Sequence, residues 1–413
     1  MAYGSLIPQG IGAATSSVRL KTSVSRLLFN GKVVLEVTGG YATRAPLPFH
    51  KCLPGYEPTP LRTLPELASR LGLGEILLKD ESSRFGLPAF KILGASWAVY
   101  RSIAGLLGHE LRDWPTIDEL KARVDPLRPV ELVTATDGNH GRAVARVAAW
   151  LGLGARIFVP RGTVQARIDG IESEGATVIV VDGTYDKAVA RAADSQSERS
   201  LMIQDTSWPG YEEIPGWVIE GYSTIFWEIE DALSATGERG PDVVIVQVGV
   251  GALAAAVVSQ YRRMDLDSAP RIISVEPANA ACALAAFEQG HVVTVPGPHD
   301  SIMAGLNCGT LATGVWPLIR DGIDCFMAIG DERARQAMRE FAACGIVSGE
   351  SGAAGLAALL ELTEGPDAST ARQRLDIHSD TRVLLFLTEG ATDPIAYEQI
   401  VGRAPAAVGR PPG

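Results

Sequence analysis

The sequence predicts an α/β protein of two lobes, with mainly parallel sheets covered by helices. Three observations predict it. Short apolar, β-branched runs alternate with alanine-rich helical stretches, the pattern that generates parallel sheets. Each run gives way to a glycine or polar turn and then to a helix. At 413 residues the chain also exceeds one ordinary core, so two lobes are the default.

The first 35 residues hold no acid and several serines, arginines and lysines, which resembles a transit peptide in composition. They lack a clear amphipathic helix and a hydrophobic signal core, so 1–35 is read as a mobile N-terminal extension. A large domain opens over 36–129, with a buried strand expected at 76–79. A smaller domain, 130–211, is inserted next, with strands at 132–135, 156–159, 177–181 and 201–203 and helices at 143–151, 165–174 and 185–197. The large domain resumes over 212–404, with strands at 242–248, 271–275 and 382–387. Residues 405–413 read as a frayed tail.

Composition narrows the function. A hydrophobic share of 46% with 21% charged residues describes a globular chain, and a formal net charge of −11 argues against nucleic acid or an anionic membrane as partner. No apolar stretch is long enough to span a bilayer; the segment 243–258 is broken by Gln247, Gly249 and Gly251. The five cysteines form no C-x-x-C pair and have no histidine cluster nearby, which disfavours structural zinc and a disulfide framework and points to a reducing cytoplasm. Whether Cys282 and Cys308 meet across a loop stays open.

The chemistry starts from Lys91, which lies between Phe90 and Ile92 where a charged, glycine-broken loop gives way to a helical pattern. Apolar neighbours strip an ammonium of hydration and lower its pKa, and a free amine condenses with an aldehyde cofactor. Alone, such a lysine is an ordinary amphipathic-helix side chain. Other stretches change that. The strand ending at Val248 runs into Gly249-Val250-Gly251-Ala252-Leu253 and a helix, a cup of backbone amides suited to a phosphate, though a tight turn without ligand uses the same residues. It is neither a Walker loop nor a dinucleotide fingerprint. Thr136-Asp137-Gly138-Asn139-His140 stands between a strand and a helix, where ordinary capping, a carboxylate grip, an amide donor and an acidic base are all available. Gln204-Asp205-Thr206, Ser348-Gly349-Glu350-Ser351 and Thr388-Glu389-Gly390 fall at strand or helix ends, where open α/β sheets bind ligands.

Taken together, Phe90-Lys91 before a helix, Asp137-Gly138-Asn139-His140-Gly141, the glycine cup and a terminal strand followed by Thr388 resemble fold type II pyridoxal-phosphate enzymes. The order along the chain fits too, and the likeness covers roughly 49–401. Dehydratases of that group carry serine where this chain has Asp137. With Asp80-Glu81-Ser82-Ser83-Arg84-Phe85-Gly86, Gln204-Asp205-Thr206-Ser207-Trp208 and Thr388-Glu389-Gly390-Ala391-Thr392-Asp393, the chain resembles the diaminopropionate ammonia-lyase branch.

The resemblance implies the two-lobed architecture of the tryptophan synthase β type, pyridoxal 5′-phosphate as cofactor and a homodimer. It implies that Lys91 carries the cofactor, that Asn139 bonds its 3′ oxygen, that Gly249 to Leu253 bind its phosphate and that Thr388 faces its pyridine nitrogen. Thr136 and the amides of Gly138, Asn139 and His140 would hold the substrate carboxylate. Asp137 and Lys91 would stand on opposite faces of the substrate, each taking the α-proton of one enantiomer, and Asp205 would meet the substrate's second amine. The expected reaction is elimination from D- or L-2,3-diaminopropionate to pyruvate and ammonia, catalysed by a carbon–nitrogen lyase. The alternatives are a serine or threonine dehydratase, or a β-replacement enzyme acting on another β-substituted amino acid. Glu350 and Glu389 receive no role.

Overall fold

Two sheets organise the chain. The structure is a computed structural model that describes residues 25–37, 40–111, 114–263 and 268–408. Its strands are β1 (Arg26–Phe29), β2 (Leu61–Thr63), β3 (Glu75–Asp80), β4 (Glu131–Ala135), β5 (Gly154–Pro160), β6 (Thr177–Val181), β7 (Ser200–Met202), β8 (Val243–Gln247), β9 (Arg271–Pro277), β10 (Cys325–Ile329) and β11 (Arg382–Leu387). The larger sheet has seven strands in the order β1-β10-β9-β8-β11-β3-β2, and the smaller has four in the order β6-β5-β4-β7. The smaller sheet is parallel throughout, whereas the larger is parallel except at its two edges, β1 on β10 and β2 on β3. Central strands such as Val243–Gln247 and Arg382–Leu387 are buried at every residue, as helices on both faces require.

Part of the expected extension is structural. Residues 26–29 form β1 and pair antiparallel with β10, in register Arg26 to Ala328. Lone hydrophobic patterning misses such a short edge strand, because its burial comes from the sheet it joins. Strand β10 escaped the sequence reading for a similar reason: Cys325-Phe326-Met327-Ala328-Ile329 is apolar and fully buried but has a single β-branched residue. Of the expected extension and tail, residues 1–24 and 409–413 lie outside the described residues.

The helix Ile92–Leu107 links the sheets and sets the position of Lys91, the residue just before it. It crosses the helix Glu213–Gly221 at a glycine-on-glycine contact. A Cβ on Gly94 would fall 2.6 Å from the Tyr222 ring, and one on Gly221 would fall 2.5 Å from the Leu93 carbonyl oxygen. Only glycine permits that approach, which brings Tyr222 beside Lys91. The helix then closes at Gly108, φ +74°, in the left-handed conformation common at helix ends.

The charged loop after β3 turns out to be a lock. Lys79 Nζ donates to Glu228 Oε2 at 2.6 Å, and Arg84 reaches Glu228 Oε1 and Glu81 Oε1, each at 2.7 Å. All four side chains are buried. Thr59 and Tyr56 complete the network through Glu81 and Glu228. Each charge is paired and hydrogen-bonded, the condition under which ions are tolerated in a core.

Candidate active site

The carboxyl ends of β4, β5, β6, β7, β8 and β11 converge on one cavity of about 880 Å³ between the two sheets. Lys91, Thr136, Asp137, Asn139, His140, Asp205, Gly249, Val250, Gly251, Ala252, Leu253 and Thr388 all line it. Gly138 does not; it sits behind the wall, where its amide donates to Thr136 Oγ1 at 2.9 Å. That leaves Asn139 and His140 at the start of the helix Asn139–Leu151, which no side chain caps.

Lys91 Nζ donates to Asp205 Oδ2 at 2.7 Å, with the Phe90 ring centroid at 5.4 Å and that of Tyr222 at 6.0 Å. This corrects the expectation of an amine with a lowered pKa. Burial does pull the pKa down, but the Asp205 carboxylate, helped by Tyr222 and Asp137, outweighs it and the net displacement is upward. Apolar neighbours in the sequence do not reveal a counter-ion that is 114 residues away. Asp205 mirrors the pair: burial opposes its ionisation, yet the charge and hydrogen bond of Lys91 hold its carboxyl at about 2.

Asp137 behaves differently. Burial raises its pKa, and repulsion from Asp205 and Glu389 adds to the effect against the pull of Arg167 and Lys91. Two carboxyl groups on one cavity are therefore driven in opposite directions, the arrangement that separates a base from a permanent anion. His140 Nε2–H donates to the Ile203 carbonyl at 2.9 Å, which fixes the tautomer and turns the Nδ1 lone pair toward Asp205 Oδ2 at 3.9 Å. Burial lowers the His140 pKa despite Asp205, so the ring is neutral.

Asn139 Nδ2 donates to Glu389 Oε2, and the other Glu389 oxygen accepts from the Ser351 amide at 3.2 Å. Thr388 Oγ1 accepts from Gln247 Nε2 at 3.0 Å. Glu350, buried beside Glu389, has its carboxyl pushed up to about 7, first by burial and then by that neighbour.

Residues the sequence reading missed complete the wall. Arg167 donates to the Asp137 carbonyl at 3.4 Å and to Thr392 Oγ1 at 3.2 Å. Tyr185 donates to Asp205 Oδ1 at 3.4 Å and accepts from Gln204 Nε2 at 2.9 Å. Tyr185 follows β6 in the same strand-to-helix position as the other site residues, and that placement was the available signal. Cys282 and Cys308 flank the glycine turn, and both are buried free thiols.

The residues present fit pyridoxal phosphate. Gly251, φ +97°, starts the helix Ala252–Tyr261 without any side-chain cap, and a Cβ there would lie 2.8 Å from Leu311 and Val315. An uncapped, glycine-walled helix start suits a phosphate dianion. The amine of Lys91, the Asn139 amide and the Thr388 hydroxyl share the same cavity. Among the described residues no group of three or more His, Cys, Asp or Glu is placed to hold a metal, and no helix is long and apolar enough to cross a membrane.

Known proteins point the same way. The family model described as pyridoxal-phosphate dependent enzyme matches residues 52–389. The diaminopropionate ammonia-lyase of Salmonella typhimurium is 40% identical over 393 residues, covering 92% of this chain and 94% of that one. The crystal structure of the Escherichia coli diaminopropionate ammonia lyase in complex with D-serine superposes with a TM-score of 0.85 at 32% identity, over 93% of this chain and 98% of that one. The same enzyme in complex with an aminoacrylate-PLP azomethine reaction intermediate gives 0.82 at 33% identity, over 94% and 98%. Sequence motifs, two-sheet architecture and amine-bearing cavity thus agree with likeness along nearly the whole chain: the protein belongs to the pyridoxal-phosphate-dependent enzymes, in the diaminopropionate ammonia-lyase family.

Proposed function

We propose that this chain is a carbon–nitrogen lyase that converts D- or L-2,3-diaminopropionate, with one water, into pyruvate and two molecules of ammonia. The observation that carries this reading is the pair of carboxylates, Asp137 and Asp205, on the cavity that holds Lys91. When bound, pyridoxal phosphate supplies the electron sink that makes the substrate's α C–H acidic.

The protein's own groups do the rest. Lys91 carries the cofactor, and its neutralisation leaves Asp205 without the ammonium it holds at 2.7 Å. A buried carboxylate in that state favours a cationic side chain, which the β-ammonium of diaminopropionate provides and the hydroxyl of serine or threonine does not. The Tyr185 hydroxyl, on the other carboxylate oxygen, keeps Asp205 oriented. Asp137, with its raised pKa, is the better base, and it takes the α-proton of the D-substrate while the Lys91 amine takes that of the L-substrate.

Thr136 and the amides of Asn139 and His140 receive the substrate carboxylate at a helix start. Asn139, braced by Glu389, serves the cofactor's 3′ oxygen. Gly249 to Leu253 hold its phosphate, and Thr388 meets its pyridine nitrogen. The division of the chain into a large domain over 36–129 and 212–404 and a small one over 130–211 is part of the same reading; the four-stranded sheet, Glu131 to Met202, supports it. We place the enzyme in the cytoplasm, where its free cysteines suit a reducing medium, and as a homodimer, which sedimentation tests.

The deciding experiment compares pyruvate release from D- and L-diaminopropionate, D-serine and L-threonine by the purified holoenzyme. Turnover of both diaminopropionate enantiomers well above the hydroxy amino acids is expected. Strong turnover of threonine with none of diaminopropionate overturns the proposal in favour of a dehydratase.

A further inference from the structure

Gln247, the last residue of β8, is buried and borders the cavity. Its Nε2 lies 3.0 Å from the Phe386 carbonyl oxygen, 3.0 Å from Thr388 Oγ1 and 3.3 Å from the Ser351 carbonyl oxygen. Carbonyl oxygens only accept, so two of them on one side fix the amide's NH₂ group there. Turning the amide over would set its oxygen against both. The chosen orientation leaves Gln247 Oε1 buried and without a hydrogen-bond partner. An orphaned buried acceptor weakens a fold, which is a reason to look for a functional constraint on the orientation.

The constraint falls on Thr388. A threonine hydroxyl alone is ambivalent, with one proton to donate and lone pairs to accept. The amide has two protons for three acceptors, and the two contacts at 3.0 Å, to the Phe386 carbonyl and to Oγ1, take them while the Ser351 carbonyl at 3.3 Å shares one, so the hydroxyl accepts from Gln247 and its single proton turns elsewhere. The two nearby carbonyl oxygens already face the Gln247 amide. The cavity is the remaining direction.

We infer that Gln247 is a positioning residue that commits the Thr388 hydroxyl to donate its proton into the cavity. The inference rests on the reading that Thr388 faces the cofactor's pyridine nitrogen. A hydroxyl fixed as donor serves an unprotonated nitrogen and opposes a protonated one, whose own N–H would meet the hydroxyl proton. A neutral ring is thereby enforced by a residue that does not touch it. Such a ring is a weaker electron sink, suited to prompt loss of a β-group rather than to long-lived carbanion chemistry.

The test uses holoenzyme reconstituted with pyridoxal phosphate labelled with ¹⁵N in the ring, and reads the ring-nitrogen chemical shift across the neutral pH range. The wild type is expected to show an unprotonated nitrogen that does not titrate. In Gln247→Met the hydroxyl turns freely, the signal moves toward the protonated form and becomes pH-dependent, and the cofactor Kd rises roughly tenfold. Thr388→Val separates the two levels of the argument. If it leaves the ring signal unchanged, Thr388 does not face the nitrogen and the underlying reading fails. If Thr388→Val moves the signal while Gln247→Met does not, the placement stands and the role of Gln247 is overturned. Should Gln247→Met fail to fold, the wild type still decides, because a protonated ring nitrogen at neutral pH refutes the inference without any variant.

Discussion

Lys91 and Asp205 form an ion pair that neither residue advertises in its own neighbourhood. The pair has a direct consequence for the protein without cofactor. Asp205→Asn removes the carboxylate that holds the ammonium, and burial then lowers the Lys91 pKa against only the remaining pull of Tyr222 and Asp137. The pH at which added pyridoxal phosphate becomes fixed by borohydride is expected to move downward in this variant, because free amine is available earlier. An unchanged profile excludes Asp205 as the controlling counter-ion. Asp137→Asn tests the two-base arrangement: turnover of the D-enantiomer is expected to fall about 10²–10⁴-fold, the usual contribution of a general base, with a much smaller loss on the L-enantiomer. Equal losses on both refute it. At this scale the motifs were legible in sequence, since Lys91, Asp137, Asn139 and Thr388 all reach one cavity. Charge states were not, because each depends on carboxylates contributed by distant strands.

Among the elements, the crossing of Ile92–Leu107 over Glu213–Gly221 deserves a stability measurement. Gly94→Ala would push a methyl to within 2.6 Å of the Tyr222 ring, and the helices must separate. Overpacking of this kind costs about 1–3 kcal/mol, to be read as a lower denaturant midpoint. The cofactor is expected to bind more weakly too, because Lys91 immediately precedes the displaced helix. Gly251→Ala acts on the phosphate cup: at φ +97°, with the added Cβ 2.8 Å from Leu311 and Val315, it distorts the turn. Cofactor affinity should fall at least about tenfold while the apo fold persists, as titration followed by tryptophan fluorescence will show. Most central strands were readable from their β-branched runs, whereas β1, β2 and β10 were not. Two of these are edge strands of only four and three residues, too short to show a period, and the third relies on Phe and Met packed between covered faces.

For the molecule as a whole, the buried network of Lys79, Glu81, Arg84 and Glu228 sets the response to acid. Burial opposes ionisation of Glu228, but hydrogen bonds and charge from Arg84, then Lys79, hold its pKa well below the ordinary 4.5. A carboxyl group lowered in the folded state stabilises above its unfolded pKa and loses that contribution as pH falls toward the folded value. Stability is therefore expected to drop below pH 4.5, with Glu228→Gln showing a shallower decline. At neutral pH the same variant leaves two buried cations short of a counter-ion and should lose about 3–5 kcal/mol in chemical denaturation.

Local sequence determined the alternation of strand and helix, hence parallel sheets, and the cluster of ligand-binding turns at strand ends. Those features depend on side-chain periodicity and on glycine, and both are properties of neighbouring residues. Tertiary structure alone decided that Asp205 would neutralise Lys91, that Gln247 would orient Thr388 and that residues 26–29 would complete a sheet. Electrostatic energy and hydrogen-bond direction act through space over a few ångströms, between groups that the chain separates by a hundred residues or more.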